Sequence, residues 1–409
     1  MKSLDIAIAG AGPGGLAAAL FLSRAGHRVR LIERFEQPKP LGSGLMLQPT
    51  GLAALHALGL YRQIAALGAP IDRLVGTDAR TGRNVLEVRY QPLGVGQHAL
   101  GVHRAALFGV LHHAVVAAGL SIRSGYTVTQ LQRDHSKSWL LSPQGLEGPF
   151  DLVVDALGSQ SPLKRYARAR STARPLAYGA IWGTTPWTDD RFDRQALSQR
   201  YRGSSVMIGV MPVGRRQPDG PELAAFFWSL KPADHAMLLQ RGFAEWRQIV
   251  EAHWPATASH LDAIGSFDRM TLARYQHHTL PVPAGDGIAF IGDSAHSTSP
   301  QLGQGANMAL LDAAALTAAI EAGDSLDDAL ERYVAMRRWH VRLYQFLSMT
   351  LTPFYQSDSR AMPVLRDMLV SSFARIRPVP RMLAGMVSGQ LLDPLKAIGL
   401  KPAPLGEVR

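Results

Sequence analysis

Short apolar runs recur along the chain between longer segments whose apolar positions keep a helical spacing, and this alternation sets the expected elements. Leu4 to Ala9 reads as a short buried strand, followed by a helix through about Ala25 and a second strand from Arg28 to Ile32. Helices are expected from about Thr50 to Leu58 and from His103 to about Ala118, then a meander over Ser121 to Val154. The pattern changes near Tyr178: candidate strands are Tyr178 to Thr184, Ser205 to Met211, Ala224 to Leu230 and Ser266 to Tyr275, with a helix from about His235 to His253. Alternation puts Tyr178, Ala180 and Trp182 on one face of their strand, and Met207, Gly209 and Met211 likewise, without saying which face looks inward. Gly287 to Ile291 is a further buried strand that feeds an alanine-rich helix from about Ala306 to Ala322. A long helix follows from Leu326 to Leu351, which Pro353 is expected to break, and further helices span about Met362 to Leu392.

The first strand runs into Gly10-Ala11-Gly12-Pro13-Gly14-Gly15, which fits G-x-G-x-x-G between a strand and a helix. Glycines give the tight turn and the close backbone approach, the helix N-terminus favours a pyrophosphate, and an acid after the second strand meets ribose hydroxyls. Glu33 stands 18 residues after Gly15, close to the expected spacing, with Arg34 beside it. This βαβ unit points to an adenine dinucleotide and does not choose between FAD and NAD. Arg104 lies in the first turn of its helix, where a cation is the wrong sign for the dipole, which suggests that it is employed elsewhere. The adjacent pair His112-His113 points two ways and is read as structural; no metal site is expected.

The choice of nucleotide comes from Gly292 to Asn307, GDSAHSTSPQLGQGAN. Gly292, Asp293, His296, Pro300, Gly303, Gly305 and Asn307 fill the fixed positions of G-D-x-x-H-x-x-x-P-x-x-G-x-G-x-N, so the stretch closely resembles the second FAD-binding motif of single-component aromatic hydroxylases similar to para-hydroxybenzoate hydroxylase. The resemblance implies an α/β protein with a discontinuous Rossmann-like FAD-binding domain (1–175 plus 277–325), an interleaved sheet domain for substrate (176–276) and a C-terminal helical region (326–409). It implies that Asp293 binds the flavin ribityl chain and that Pro300 lies beside the ring. Gly303, Gln304, Gly305, Ala306 and Asn307 would sit at the flavin pyrimidine, with Arg104, in an R-x-x-L pattern with Leu107, on the phosphates. Gly44, in a glycine-rich loop that enters a short extended segment between Gly42 and Pro49, would lie near a flavin that can move. Tyr178, Trp182, Met207 and Met211 are the substrate-binding candidates, and Tyr178, Tyr201 and Tyr275 are candidates to activate a phenol.

In such enzymes NADH or NADPH reduces FAD, and the reduced flavin captures dioxygen as a C4a-hydroperoxide that hydroxylates an aromatic or apolar substrate. One departure stands out: where the family shows G-A-D-G-x-x-S-x-x-R, this chain has Asp155-Ala156-Leu157-Gly158 and Lys164 in the arginine place. The departure falls in the motif that the family ties to nicotinamide as well as to FAD. A reductase, a halogenase (whose W-x-W-x-I-P signature is missing) and a non-catalytic flavin-binding protein are the competing readings.

Composition narrows the field further. Apolar residues make up 46% of the 409 and charged residues 18%, values of a globular chain large enough for two joined domains. The chain has no cysteine, so disulfides, thiolate nucleophiles and zinc–thiolate sites are excluded, and a cytoplasmic location is compatible. The net charge of +11 is concentrated late: from Leu330 to Arg409 there are 12 Lys and Arg against 5 Asp and Glu. That basic, apolar region fits either a solvated helical face or peripheral contact with an anionic membrane surface. No basic stripe interleaved with aromatics points to nucleic acid.

Overall fold

The computed structural model describes residues 2–37, 42–169, 171–187, 190–373 and 378–405, and from 369 to 373 the backbone path alone. Two sheets carry the architecture. The first has six strands in the order Ala284–Gly285, Ile288–Phe290, Leu152–Asp155, Asp5–Ala9, Arg28–Ile32 and Ser121–Arg123. All of its pairings are parallel except the one between its first two strands. Its central strands read as continuous apolar runs because both faces are covered, one by helices Pro13–Arg24, Arg104–Ala117 and Gly305–Ala322 and the other by the three-stranded meander Gln130–Asp134, Lys137–Ser142 and Gly145–Phe150.

Helix Pro13–Arg24 leaves the central strand and packs against helix Gly305–Ala322, each presenting alanines that let the two axes come close. A Cβ placed on Gly14 would stand 3.1 Å from the Cβ of Ala309, and one on Gly292 would stand 3.0 Å from it. The N-terminal turns of the two helices therefore converge, although the segments that supply them lie at opposite ends of the nucleotide fold's sequence.

The second sheet has seven strands in the order Met270–Ala273, Gly179–Pro186, Leu223–Leu230, Val206–Gly214, Ala196–Arg202, Arg73–Asp78 and Asn84–Arg89. Two of these strands come from 73–89, outside the 176–276 segment assigned to the sheet domain from sequence. Both faces of this sheet are covered, which decides the question that alternation left open. Ile181, Ile208, Phe226 and Trp228 pack under helices Phe243–His253 and Ala258–Ile264. Trp182, Met207, Met211 and Phe227 look the other way, toward the cavity described below.

Two local expectations need correction. The helix expected from His235 to His253 is two helices, broken at Gly242, whose φ of 85° lies outside the helical region. Pro353 does not end the long helix, which runs Leu326–Tyr355. The proline falls in the last turn, where its missing N–H adds one unpaired carbonyl to those a helix end already leaves, instead of interrupting an interior. The extended segment expected between Gly42 and Pro49 is the strand Gly44–Leu47, paired with Ala99–His103, so Gly44 itself is held in a sheet. The helices expected over Met362 to Leu392 are Ala361–Phe373 and Val379–Val387, and positions 374–377 lie outside the described residues.

Candidate active site

The dinucleotide turn shows what each glycine is for. Gly10 has φ 105°, and a Cβ there would meet the Ala156 carbonyl oxygen at 2.5 Å. A Cβ on Gly15 would meet the Gly10 carbonyl oxygen at 1.9 Å, so the helix can start this close to the strand only without a side chain. Gly12 differs: its φ is −73° and nothing lies within 4 Å of where a Cβ would go. Neither the fold nor the backbone requires glycine there; the open space beside it does something else. No side chain caps the helix at Gly12, and its first turn holds no acid, so its leading N–H groups face outward unpaired. Glu33 is buried and accepts hydrogen bonds from Ala11 N (2.9 Å) and Phe35 N (3.1 Å), which fixes its carboxylate at the turn.

Helix Gly305–Ala322 repeats the arrangement. Gln304 precedes it without a side-chain cap, and no acid lies in the first turn. Gly303 in the left-handed region (φ 61°) aims the preceding chain across that N-terminus. Asp293 is ringed by protein, yet its side chain is accessible because it opens into a cavity of about 760 Å³. The surrounding protein pushes the Asp293 carboxyl up, against the pull of His296, Arg104 and Lys164.

That cavity is lined at one end by Asp293, Arg104, Pro300 and the run from Gly303 to Ala306. Its walls continue through Trp182, Met207, Met211 and Phe227 of the seven-stranded sheet. Such a volume, apolar with a few convergent polar groups, is that of a small-molecule site. Trp182 Nε1 donates to the Tyr275 hydroxyl at 2.9 Å, and burial pushes Tyr275 up to about 12, so it stays a neutral donor.

A buried polar network backs the glycine-rich turn. Asp312 accepts hydrogen bonds from Gly292 N (2.9 Å) and from Arg337 Nε (2.7 Å), and pairs with His296 Nε2 at 2.6 Å. Burial alone would raise the Asp312 carboxyl, but His296 and Arg337 hold it well below the usual carboxylate range. Arg337 also meets His340 Nδ1 at 3.2 Å, and His340 Nε2 meets the Gly389 carbonyl at 3.0 Å. Burial and the neighbouring Arg337 push His340 down to about 3, so it is neutral. Gln304 Nε2 donates to the Val387 carbonyl at 2.7 Å, a second tie between the turn and the C-terminal helices.

Comparison with known proteins fits this geometry. Residues 3–141 and 221–344, more than half of the chain, match the family described as FAD binding domain. The chain belongs to that FAD-binding family. Among its relatives is the FAD-dependent urate hydroxylase of Klebsiella pneumoniae, 27% identical over 84% of this chain and 87% of that protein. A probable 2-heptyl-3-hydroxy-4(1H)-quinolone synthase of Rhodococcus erythropolis is 25% identical over 98% of both chains. In solved structures the fold recurs in Klebsiella pneumoniae HpxO complexed with FAD and uric acid, with a TM-score of 0.78, 21% identity and coverage of 94% and 96%. It recurs equally in 2-methyl-3-hydroxypyridine-5-carboxylic acid oxygenase, with a TM-score of 0.78, 20% identity and coverage of 97% and 98%. The expectation of an FAD-dependent monooxygenase related to the aromatic hydroxylases, on an α/β Rossmann-like fold, is borne out.

For this FAD-binding chain the two uncapped helix N-termini and the open space at Gly12 suit an anionic dinucleotide, and Asp293 suits a polyhydroxyl chain. Not every residue singled out from sequence reaches those places. Asn307 is fully buried and does not line the cavity: its Oδ1 accepts from Gln48 N (2.8 Å), and its Nδ2 donates to the carbonyls of Gly303 (2.8 Å) and Met46 (3.2 Å). It clamps the turn from behind. Arg34 is exposed and stacks its guanidinium on the Phe35 ring at 4.7 Å. Gly44 lines the cavity, but its lack of a side chain is a packing need, since a Cβ would meet Val213 at 2.5 Å and Ala225 at 2.9 Å. Tyr178 precedes its strand and leaves the cavity wall, donating to Asp358 Oδ1 at 2.9 Å.

The Leu157 departure also has a structural outcome. The displaced acid, Asp155, is buried and accepts from Leu157 N at 2.9 Å and from Ser161 Oγ at 2.5 Å. Burial raises its carboxyl to about 6. It closes the turn locally, from the other side of the loop. Sequence reasoning missed the C-terminal wall of the cavity: Leu351, Phe354, Tyr355, Leu383 and Met386 all line it. Of Met362, Met368, Met382 and Met386, which recur on the helices between 361 and 387, Met386 is a wall residue, whereas Met368 and Met382 are more than half exposed. The spacing of Leu383 and Met386 on one helical face was the available signal.

Proposed function

We propose that the protein hydroxylates an aromatic, largely apolar substrate, taking electrons from NADPH or NADH and oxygen from O2. The observation that carries this reading is the single cavity joining Asp293 and the Gly303–Gly305 turn to an apolar wall of Trp182, Met207, Met211 and Phe227. Bound FAD would supply the redox chemistry, and the chain's own groups would bind, orient and keep the site dry. Gly10, Gly12, Pro13, Gly14 and Gly15 would admit the pyrophosphate to the first helix N-terminus, with Glu33 on the ribose and Arg104 as counter-charge. Asp293 would accept from ribityl hydroxyls. The amides of Gly305 and Ala306, preceded by Gln304, would hold negative charge at the pyrimidine edge, and Pro300 would wall off water. The Tyr275 hydroxyl, oriented by Trp182, is placed to donate to a substrate oxygen.

Substrate-stimulated consumption of NADPH or NADH by the FAD-loaded enzyme, with a product heavier by one oxygen, is the expected result from a screen of phenols, quinone precursors and polyketides. FAD-loaded protein that shows no substrate-stimulated oxygen uptake would favour a binding protein, and reduction without oxygen insertion would favour a reductase.

We further propose a cytoplasmic enzyme that touches an anionic membrane surface through its C-terminal helices. Among the described residues no helix is long and apolar enough to cross a membrane. Helix Leu326–Tyr355 instead carries Trp339, Phe346 and Met349, each more than half exposed, in a stripe flanked by Arg338 and Arg342. Sedimentation with phosphatidylserine vesicles that weakens several-fold in a Trp339→Ser, Phe346→Ser double variant is expected; indifference to vesicles ends this reading.

A further inference from the structure

Strand Ala196–Arg202 places Gln199 and Tyr201 two residues apart and so on one face, and both line the cavity. They stand at the end walled by the strand pair 73–89, since Tyr201 packs directly over Gly76. Tyr355, from the last turn of the long helix, joins them, its ring centroid 5.5 Å from that of Tyr201. Gln199 and Tyr201 are deeply enclosed, 8% and 1% exposed, and Tyr355 is half-buried.

Their hydrogen-bonding capacity is nevertheless unspent. Among the described residues neither the Tyr201 nor the Tyr355 hydroxyl has a hydrogen-bond partner, and Gln199 reaches only the Met207 sulfur, at 3.6 Å. Buried polar groups are ordinarily paired, so two enclosed ones, with the half-buried Tyr355 hydroxyl beside them at one end of a ligand-sized cavity, call for a partner from outside the chain. Arg366 supplies the field. It is 2% exposed, and its guanidinium lies 5.3 Å over the Tyr201 ring and 5.6 Å over the Tyr355 ring. Its Nη1 is anchored on the Gly203 and Phe354 carbonyls, and its Nε donates to Asp367 at 2.8 Å. A fixed cation behind two phenols makes both better donors. Burial raises Tyr201 well above its usual range and Tyr355 to about 12, so both keep their protons to donate.

We propose that Gln199, Tyr201 and Tyr355 form a distal subsite for a hydrogen-bond-accepting oxygen, a carbonyl above all, on an elongated aromatic substrate. The ring to be hydroxylated would then lie at the Gly303–Gly305 end, with the apolar body between Trp182 and Met207. This deepens the hydroxylase reading and rests on it for the choice of substrate class.

A matched pair of probes tests the subsite: 4-acetyl-4′-hydroxybiphenyl and 4-ethyl-4′-hydroxybiphenyl, which differ in the distal oxygen. Binding to the FAD-loaded enzyme is read from the change in the flavin absorption spectrum. The acetyl compound is expected to bind about tenfold more tightly, as one or two hydrogen bonds in a dry site would give. In Tyr201→Phe and Tyr355→Phe variants, which retain the rings over Arg366, that preference should fall to about twofold or less while the ethyl compound's Kd holds. A merely structural role for the hydroxyls would weaken both probes alike. Equal binding of the pair, a preference that survives in both variants, or failure of the cavity to take either biphenyl would each overturn the proposal. Selective binding of the acetyl compound without any NAD(P)H-driven oxygen uptake would defeat the hydroxylase reading and leave the subsite standing.

Discussion

Gly12→Val yields a folded protein that no longer holds FAD, with a Kd raised at least about 100-fold, whereas Gly15→Val fails to fold its amino-terminal unit at all. The two glycines stand three residues apart in one motif, and the structure separates them. Gly12 has an extended backbone that any residue adopts, and no atom lies within 4 Å of an added Cβ. Valine there costs the apo fold little. Its methyl groups instead fill the space into which a pyrophosphate would have to come to reach the unpaired N–H groups of helix Pro13–Arg24. At Gly15 the added carbon falls 1.9 Å from the Gly10 carbonyl oxygen and 3.3 Å from Ala156, so the helix must part from the central strands. Thermal denaturation of apo-protein and titration with FAD check both statements. A Gly12→Val variant that retains FAD normally would remove the assignment of the pyrophosphate to this turn. Gly109→Ala, in a helix with nothing within 4 Å of the new carbon, is the control and should leave both readouts unchanged or slightly improved.

What the sequence could reveal divides along the same physical line. Gly10, Gly15, Gly292 and Gly303 were legible because local backbone geometry leaves no other residue a place, and such constraints are written in a few consecutive positions. The alternation of Trp182, Met207 and Met211 was legible up to its sign, because period two fixes which residues share a face but not what covers it. The sign came from helices Phe243–His253 and Ala258–Ile264, which claim the opposite face. Tyr178 failed because its strand begins one residue later, and its phenol is drawn to Asp358, 180 positions away. Asn307 illustrates a different gap. Its place in the motif was right, but a buried amide bonding Gln48, Met46 and Gly303 cannot be told from a ligand-binding one by spacing alone. The C-terminal wall was least legible, since Tyr355, at the end of the long helix, and Leu383 and Met386, on helix Val379–Val387, acquire their role only when those elements close against the sheet.

The long helix is held to helix Gly305–Ala322 by a buried ion pair, and breaking it from one side gives the second large effect. Arg337→Leu should lose about 3–5 kcal/mol of stability, because it strands the Asp312 carboxylate in a fully buried site. Asp312 would keep Gly292 N and His296, neither of which offers the permanent charge of a guanidinium, and His340 would lose its link to the network. Adding Asp312→Asn should restore at least half of the loss. The uncharged amide can still accept from Gly292 N, and removing both members of a buried pair costs far less than removing one. The pH dependence has a fixed sign. The folded-state carboxyl of Asp312 is depressed, so its contribution is complete above an unfolded value of about 3.9 and is lost as pH falls from there through the lower folded value. The gap between wild type and Arg337→Leu should therefore be widest above about pH 4 and narrow in stronger acid. Urea denaturation at several pH values measures this directly, and a gap that widens in acid would show that Arg337 does not act through Asp312. Because His340 reaches Gly389 and Gln304 reaches Val387, the variant should also release FAD faster at neutral pH, as the turn at Gly303 loses its backing.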